Sequence, residues 1–231
     1  DNVGMMLGDP EAECTGVLVC LDCTFAAALQ ARDEGCNLIV SHHPFIFRPL
    51  DRLTLDDPKA KMVRFLFRNN IAVYSAHTNL DVADEGLART LAEIFGGHDI
   101  ENSGIGCYAT VAEESAAELA HKVSGALGDP SVKVSSPDVK VKRVYVVSGA
   151  GGSHESLATA MKGADAGITG EVKHHVCTEA DEQDFPIVEF SHYYSEIICC
   201  DVLKGAIKSA FDDLNIVVAH RRCPYKTLEE L

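Results

Sequence analysis

His42-His43-Pro44 sets two imidazoles side by side directly after an apolar run, Asn37 to Ser41. Imidazole nitrogens serve as ligands for divalent ions or as general bases near neutral pH. On an extended strand adjacent side chains point to opposite faces, but on a turning loop both rings can swing toward one side. Pro44 keeps the following backbone extended, which limits the entropy lost when both rings are fixed. His77-Thr78-Asn79-Leu80-Asp81 follows a second apolar run, and His192 and Glu196 lie four residues apart at the start of a helical pattern. That spacing places His192 and Glu196 on one helical face.

Each element has a plainer explanation when taken singly. The histidine pair could serve surface or capping roles, Asp81 could cap a helix beginning near Ala83, and His192–Glu196 could be a solvent-exposed hydrogen bond. Taken together, His42, His43, Asp81, His192 and Glu196 supply three imidazoles and two carboxylates at strand ends. Five N/O ligands exceed the need of one four-coordinate zinc. They suit two divalent ions that share a bridging carboxylate and a bridging water. Zinc, iron, manganese and nickel all accept such a mixed set, and the lack of thiolate in it argues against a zinc finger or an iron–sulfur site.

Other motifs are weaker. Cys20-Leu21-Asp22-Cys23 matches C-x-x-C, but its first cysteine ends a strand and no second C-x-x-C completes a four-thiolate zinc site. Cys199-Cys200 falls on a helical pattern and reads as packing. Gly149-Ala150-Gly151-Gly152-Ser153 precedes a helix and could seat an anion, although a tight strand-to-helix turn is its simpler role. His174-His175 imitates the first pair, yet with His121 and His154 it reads as helix surface or cleft rim and is expected to stay off any metal.

The elements that must position these residues alternate. Strands are expected at Val17 to Leu21, Asn37 to Ser41 and Ile71 to Ser75, with helices over Phe25 to Glu34, Pro58 to Asn69 and Ala83 to Phe95. A strand at Tyr108 to Ala112 leads into a helix to Leu127, which opens on a Ser115/Glu118 capping box. Residues 128–140 are polar and read as a flexible connection, with a short strand at Val132 to Val134 as the alternative. Strands at Val144 to Ser148, Ala166 to Thr169, Ile187 to Phe190 and Ile216 to Ala219 then alternate with helices. Those helices span His154 to Met161, Lys173 to Glu182 and a long Tyr193 to Phe211. This rhythm specifies an α/β fold, with a first half at 1–102 and a second at 103–231. The halves look alike: Ile71 to His77 matches Ile187 to His192, and His42-His43 finds a counterpart in His174-His175. Duplication would bring strand ends from both halves to one cleft, where open α/β folds place their ligands.

Composition bounds the function. The 231 residues are 46% hydrophobic and 24% charged, enough for a sizeable core. The 35 acidic against 20 basic residues give a formal charge of −15. Such a field repels nucleic acid and anionic membranes, and it suits cations. No apolar run reaches the roughly 18 residues of a membrane helix, and no signal peptide is visible. Nine cysteines, an odd and unpatterned set, fit a reducing cytoplasm. The first residue is Asp1 rather than Met, and the expectation is that an N-terminal segment has been removed.

His-His-Pro, His-Thr-Asn-Leu-Asp, and Gly170-Glu171-Val172-Lys173-His174-His175 followed by His192-x-x-x-Glu196 resemble the signatures of one family. It is the NIF-three-like dinuclear-metal family, whose members are often described as type 2 GTP cyclohydrolase I homologues. Asp1-Asn2-Val3-Gly4 is similar to its opening motif, which a further helix normally precedes, and the resemblance runs to about Ala219. It implies two intertwined, internally duplicated α/β halves with mixed sheets and a metal pair in the cleft between them. It also implies a homo-oligomer, often a hexameric ring, and a short form without the domain that larger relatives insert between the halves. Motif by motif, the metal ligands fall on His42, His43, Asp81, His192 and Glu196. Glu171 and His77 then line the pocket without binding metal, and either could shuttle a proton. Ser191 departs from the pattern, where glycine is common, but the spacing to His192 is kept. The expected activity is metal-dependent hydrolysis of a small molecule, GTP ring opening being the family's label. A non-catalytic metal-binding or regulatory scaffold is the alternative.

Overall fold

The computed structural model describes residues 1–227. In chain order the first elements are β1 (Gly4–Leu7), β2 (Val17–Cys20), α1 (Phe25–Asp33), β3 (Leu38–Ser41), α2 (Pro58–Arg68), β4 (Ala72–Ser75) and the short α3 (Thr78–Asp81). Next come α4 (Leu87–Ile94), β5 (His98–Ser103), β6 (Gly106–Ser115), α5 (Ala116–Leu127), β7 (Lys133–Val134) and β8 (Lys140–Val146). The chain ends with α6 (His154–Ala160), β9 (Ala166–Gly170), α7 (His174–Asp181), β10 (Ile187–Phe190), α8 (His192–Glu196), α9 (Cys199–Ala210) and β11 (Ile216–Val218).

These elements form two compact units. Asp1–Leu80 and Ile197–Arg222 make the first, and Asp81–Glu196 with residues from Cys223 make the second. Residues 81–102, read from sequence with the first half, therefore lie in the second unit, and 197–222 return to the first. Local pairing accounts for both. Strand β11 completes the first sheet by running parallel to β2, with Ile216 opposite Val17. Helix α4 buries Leu87, Ala88, Leu91 and Ala92, the face it turns to β5 and β6.

The first unit holds a five-stranded sheet in the order β1-β4-β3-β2-β11, parallel except for the antiparallel edge strand β1. Val17-Leu18-Val19-Cys20 is buried at every position, the pattern of a central parallel strand covered on both faces. Leu18, Ile39 and Val73 of adjacent strands pack with Ala28 and Ala31 of α1 and Met62, Val63 and Leu66 of α2. Both helices are capped. Thr24 accepts a hydrogen bond from the Ala27 amide, and Asp57 accepts from the Lys59 and Ala60 amides ahead of Pro58.

The second unit holds a six-stranded mixed sheet, β5-β6-β8-β9-β10-β7, in which β8, β9 and β10 are parallel. Its β8-α6-β9-α7-β10 run repeats the connection and strand order of β2-α1-β3-α2-β4. Ser115 and Glu118 form the expected capping box at α5. Segment 128–140 contains the short β7, paired antiparallel with β10.

Three expectations are corrected and two strands are added. The helix read from Ala83 starts at Leu87, after a turn and a Gly86 cap that makes no side-chain hydrogen bond. The strand expected at Tyr108 to Ala112 extends over Gly106–Ser115, because β5 and β8 pair with it on either side. The long helix from Tyr193 is two helices. At Ile197-Ile198 the ladder tightens, with the Cys200 amide bonding Ile197 O and the Asp201 amide bonding Ile198 O. Strands β1 and β5 were not expected. His98-Asp-Ile-Glu-Asn-Ser103 carries a single large apolar residue, and as an edge strand it needs no apolar face.

Candidate metal centre

In the first unit the donor residues lie just past the C-terminal ends of β2, β3 and β4. The parallel register aligns Ser41 with Ser75, and their hydroxyls meet at 2.9 Å. Ser41 Oγ also donates to His43 O at 2.8 Å, and Ser75 Oγ accepts from the Phe45 amide at 3.2 Å. The amides of His42 and His43 continue the ladder to Cys20 O and Leu21 O. Two small hydroxyl side chains thus clamp the turn that presents both imidazoles.

The rings converge as expected for a turning loop. His42 and His43 centroids are 5.4 Å apart, and His77 lies 5.1 Å from the first and 5.7 Å from the second. One ring nitrogen from each of the three falls within 4.8 Å of the other two, a group that could hold a metal ion. His77, expected to line the pocket, is therefore brought among the donors themselves.

Each ring is oriented by an acceptor at Nδ1. That of His42, which is 0% exposed, lies 2.8 Å from Ala76 O. His43 Nδ1 lies 2.8 Å from Asp22 Oδ1, and His77 Nδ1 lies 3.0 Å from Asp1 Oδ2. A carbonyl or an ionised carboxylate can only accept, so Nδ1 carries the proton. In the neutral ring Nε2 then bears the lone pair, the tautomer that metal-ligating histidines adopt.

In the second unit β10 ends at Phe190 and α8 begins at His192. His192 Nε2 lies 2.7 Å from Glu196 Oε2, one turn further along α8, so the i,i+4 reading holds. Glu196 is buried, at 4% exposure. His192 Nδ1 contacts Glu171 Oε1 at 2.7 Å, the same imidazole–carboxylate arrangement as in the first unit. Glu171 directly follows β9 and has φ +54°, an uncommon conformation for a residue with a side chain. Topologically Glu171 is the counterpart of His42, since each directly follows the middle strand of its β-α-β-α-β run. That place had been given to His174-His175, which are exposed residues opening α7.

Asp81 ends α3 rather than capping the next helix, and its Oδ1 accepts from Ser148 Oγ at 3.1 Å. Asp129, fully buried, anchors the α8 turn: its Oδ2 accepts from the Ser191 amide at 2.6 Å, and its Oδ1 from the Ser131 amide and hydroxyl. Gly149 packs closely against Glu196. It has φ +58°, and a Cβ placed there would sit 1.8 Å from Glu196 Oε1. The Gly149 amide instead donates to Ser195 Oγ at 3.0 Å. This close approach, rather than an anion seat, explains the glycine that opens Gly149–Ser153.

The donor sets fit divalent ions. They are imidazole nitrogens and carboxylate oxygens, with ring orientation set by acceptors at Nδ1. Burial pushes the Cys20 thiol well above its ordinary pKa and the Cys23 thiol up to about 12, which disfavours a free thiolate at either. Asp1, Asp22, Ser148 and Asp129 were not singled out from sequence. Of these, Asp22 carried a signal as a carboxylate on the turn after a strand, and Asp1 lies in the opening Asp1-Asn2-Val3-Gly4 motif.

Two mixed α/β sheets, each with a histidine–carboxylate group beyond its parallel strands, define the class of protein. The chain belongs to the Duf34/NIF3 (NGG1p interacting factor 3) family, whose model matches residues 1–224. It is 28% identical to a GTP cyclohydrolase 1 type 2 homolog of Clostridium acetobutylicum, over 98% of this chain and 90% of that one. With the homolog of the same name from Clostridium perfringens it shares 32% identity, over 95% and 88%. The crystal structure of Staphylococcus aureus hypothetical protein SA1388 superposes with a TM-score of 0.89 at 25% identity, covering 99% of this chain and 92% of that one. Among the described residues no helix is long and apolar enough to cross a membrane.

Proposed function

We propose that the protein is a dinuclear divalent-metal hydrolase that opens the ring of a purine nucleotide such as GTP, with His42, His43, Asp81, His192 and Glu196 as ligands. The observation that carries the proposal is convergence: one ring nitrogen each from His42, His43 and His77 falls within 4.8 Å of the others, with Nδ1 of His42 and His43 turned to acceptors. A metal-ligating imidazole almost always has such a partner. Exposed His98 and His154 pair with carboxylates too, so the partner supports the reading only beside that convergence. The names of the clostridial relatives favour the GTP reading.

Two divalent ions, when bound, would acidify water and polarise an imine or carbonyl group. Ring opening then needs water to add at purine C8 and the C8–N9 bond to break, leaving the carbon as a formamide on N7. Both protons of that water are placed, one on N7 as its hydroxyl adds to C8 and one passing from that hydroxyl to N9 as the bond breaks. A second water hydrolyses the formamide to release formate. Glu171 and His77 are the residues proposed to carry the protons. Glu196, buried against His192, contributes negative charge, while Gly149 leaves its carboxylate room.

The test is turnover of GTP by protein loaded in turn with zinc, iron, manganese or nickel, followed by loss of purine absorbance and by formate release. Metal-dependent turnover that Glu171→Ala slows by about 10²–10⁴-fold is the expected result. Stoichiometric metal binding with no turnover under any of the four metals would leave a non-catalytic metal-binding protein instead.

A further inference from the structure

We propose that Asp22 is a positioning residue for the metal centre, its carboxylate fixing the orientation and tautomer of His43, and that Cys20-Leu21-Asp22-Cys23 is the turn that presents it. The inference rests on the reading of His43 as a metal ligand.

The C-x-x-C spacing suggests thiol chemistry, but the structure turns both thiols to other uses. Cys20 is buried in the first unit's core, and Cys23 packs against that core. The residue between them that faces the donors is Asp22, whose Oδ1 lies 2.8 Å from His43 Nδ1. The same turn also holds the backbone of His43, because Leu21 O accepts from the His43 amide at 2.9 Å. It is rigid at its far end, where the Thr24 amide bonds Asp22 O and the Thr24 hydroxyl caps α1. Strand β2 therefore ends in a short clamp that grips His43 at two points, one on the main chain and one on the ring.

An exposed His–Asp contact contributes little to folding stability, commonly under about 1 kcal/mol. Its value lies in the state of the ring. Accepting from Nδ1–H makes Nε2 the lone-pair atom and raises its basicity toward a cation. Glu171 bears the same relation to His192 in the second unit, at 2.7 Å. A carboxylate on Nδ1 thus recurs on an independent strand end. His42 provides an internal control, since its Nδ1 is held by the Ala76 carbonyl and owes nothing to Asp22.

The experiment compares wild type, Asp22→Ala, Asp22→Asn and His43→Ala, with Zn²⁺ as the probe. Chelator competition gives the affinity, and nitrogen-15 NMR of the metal-free protein gives the tautomer of each ring. Asp22→Ala is expected to weaken Zn²⁺ binding about 10–100-fold while leaving the saturated stoichiometry intact. It is also expected to move His43 away from the pure Nδ1–H tautomer and leave His42 unmoved. Asp22→Asn, which keeps an acceptor oxygen but loses the charge, should retain the tautomer and recover part of the affinity. Wild-type affinity and tautomer in Asp22→Ala, alongside a His43→Ala variant that loses Zn²⁺, would overturn the role of Asp22 alone. His43→Ala with undiminished Zn²⁺ binding would overturn both that role and the metal reading beneath it.

Discussion

Replacing Glu196 with alanine is expected to cost the protein at least one of two ions. Glu196 is a buried carboxylate 2.7 Å from His192 Nε2, so the two would supply an imidazole and a negative charge to bound cations. Without it, two cations would face each other with less negative charge between them, and their repulsion grows where the effective dielectric falls. The metal-free variant should nevertheless stay folded. A buried carboxylate is costly to hold without a cation, and the His192 ring keeps its contact with Glu171. Thermal unfolding with and without zinc separates the two effects. Wild type should gain about 4 kcal/mol for each ion bound when zinc is present at a thousand times that site's Kd, and Glu196→Ala should gain much less. Glu171→Ala should instead keep two ions at saturation and lose about 10–100-fold in affinity, because Glu171 orients a ligand without being one. If Glu171→Ala strips metal as thoroughly as Glu196→Ala, Glu171 is itself a ligand.

Gly149→Ala is expected to do comparable damage without touching a ligand. Its added Cβ would fall 1.8 Å from Glu196 Oε1 and 3.2 Å from His192 Nε2, so the carboxylate must leave its place. The left-handed backbone at φ +58° adds a penalty of about 1–2 kcal/mol for any residue with a Cβ. Loss of metal together with a lower melting temperature is the expected outcome. Gly205→Ala is the matched control: an alanine Cβ there meets nothing within 4 Å, and Gly205 lies inside α9. Helix propensity should make that variant more stable by about 0.5–1 kcal/mol. Gly149→Ala with wild-type metal content would show that the carboxylate does not need the space above it.

The elements that sequence reveals best are those whose burial is continuous or periodic. Val17–Cys20, Leu38–Ser41 and Ile187–Phe190 are short apolar runs because both their faces are covered, and they were found nearly to the residue. Strands β1 and β5 escape for separate reasons: β5 has one large apolar residue, and the short Gly4–Leu7 run buries only Leu7. The helix expected from Tyr193 to Phe211 keeps its apolar pattern across Ile197-Ile198, and only the hydrogen bonding shows where it breaks. At the site, type and spacing singled out His42, His43, His192 and Glu196, because pairs at i,i+1 and i,i+4 have a local geometry. Their supporting residues are found only in the fold. Asp22 lies 21 positions before His43 and Glu171 the same distance before His192, and parallel strands joined by a helix bring each pair together. The likeness of His42-His43 to His174-His175 misled for the same reason. Sequence similarity compared dipeptides, whereas the strand end at Gly170 selects Glu171.

The central claim is that this chain holds a pair of ions, and elemental analysis tests it most directly. Protein purified without chelator, then soaked in divalent metal and desalted, should contain close to two ions per chain. His42→Ala should fall to one or none. A content that never exceeds one ion per chain after soaking, or that is unchanged by His42→Ala, would contradict the dinuclear centre.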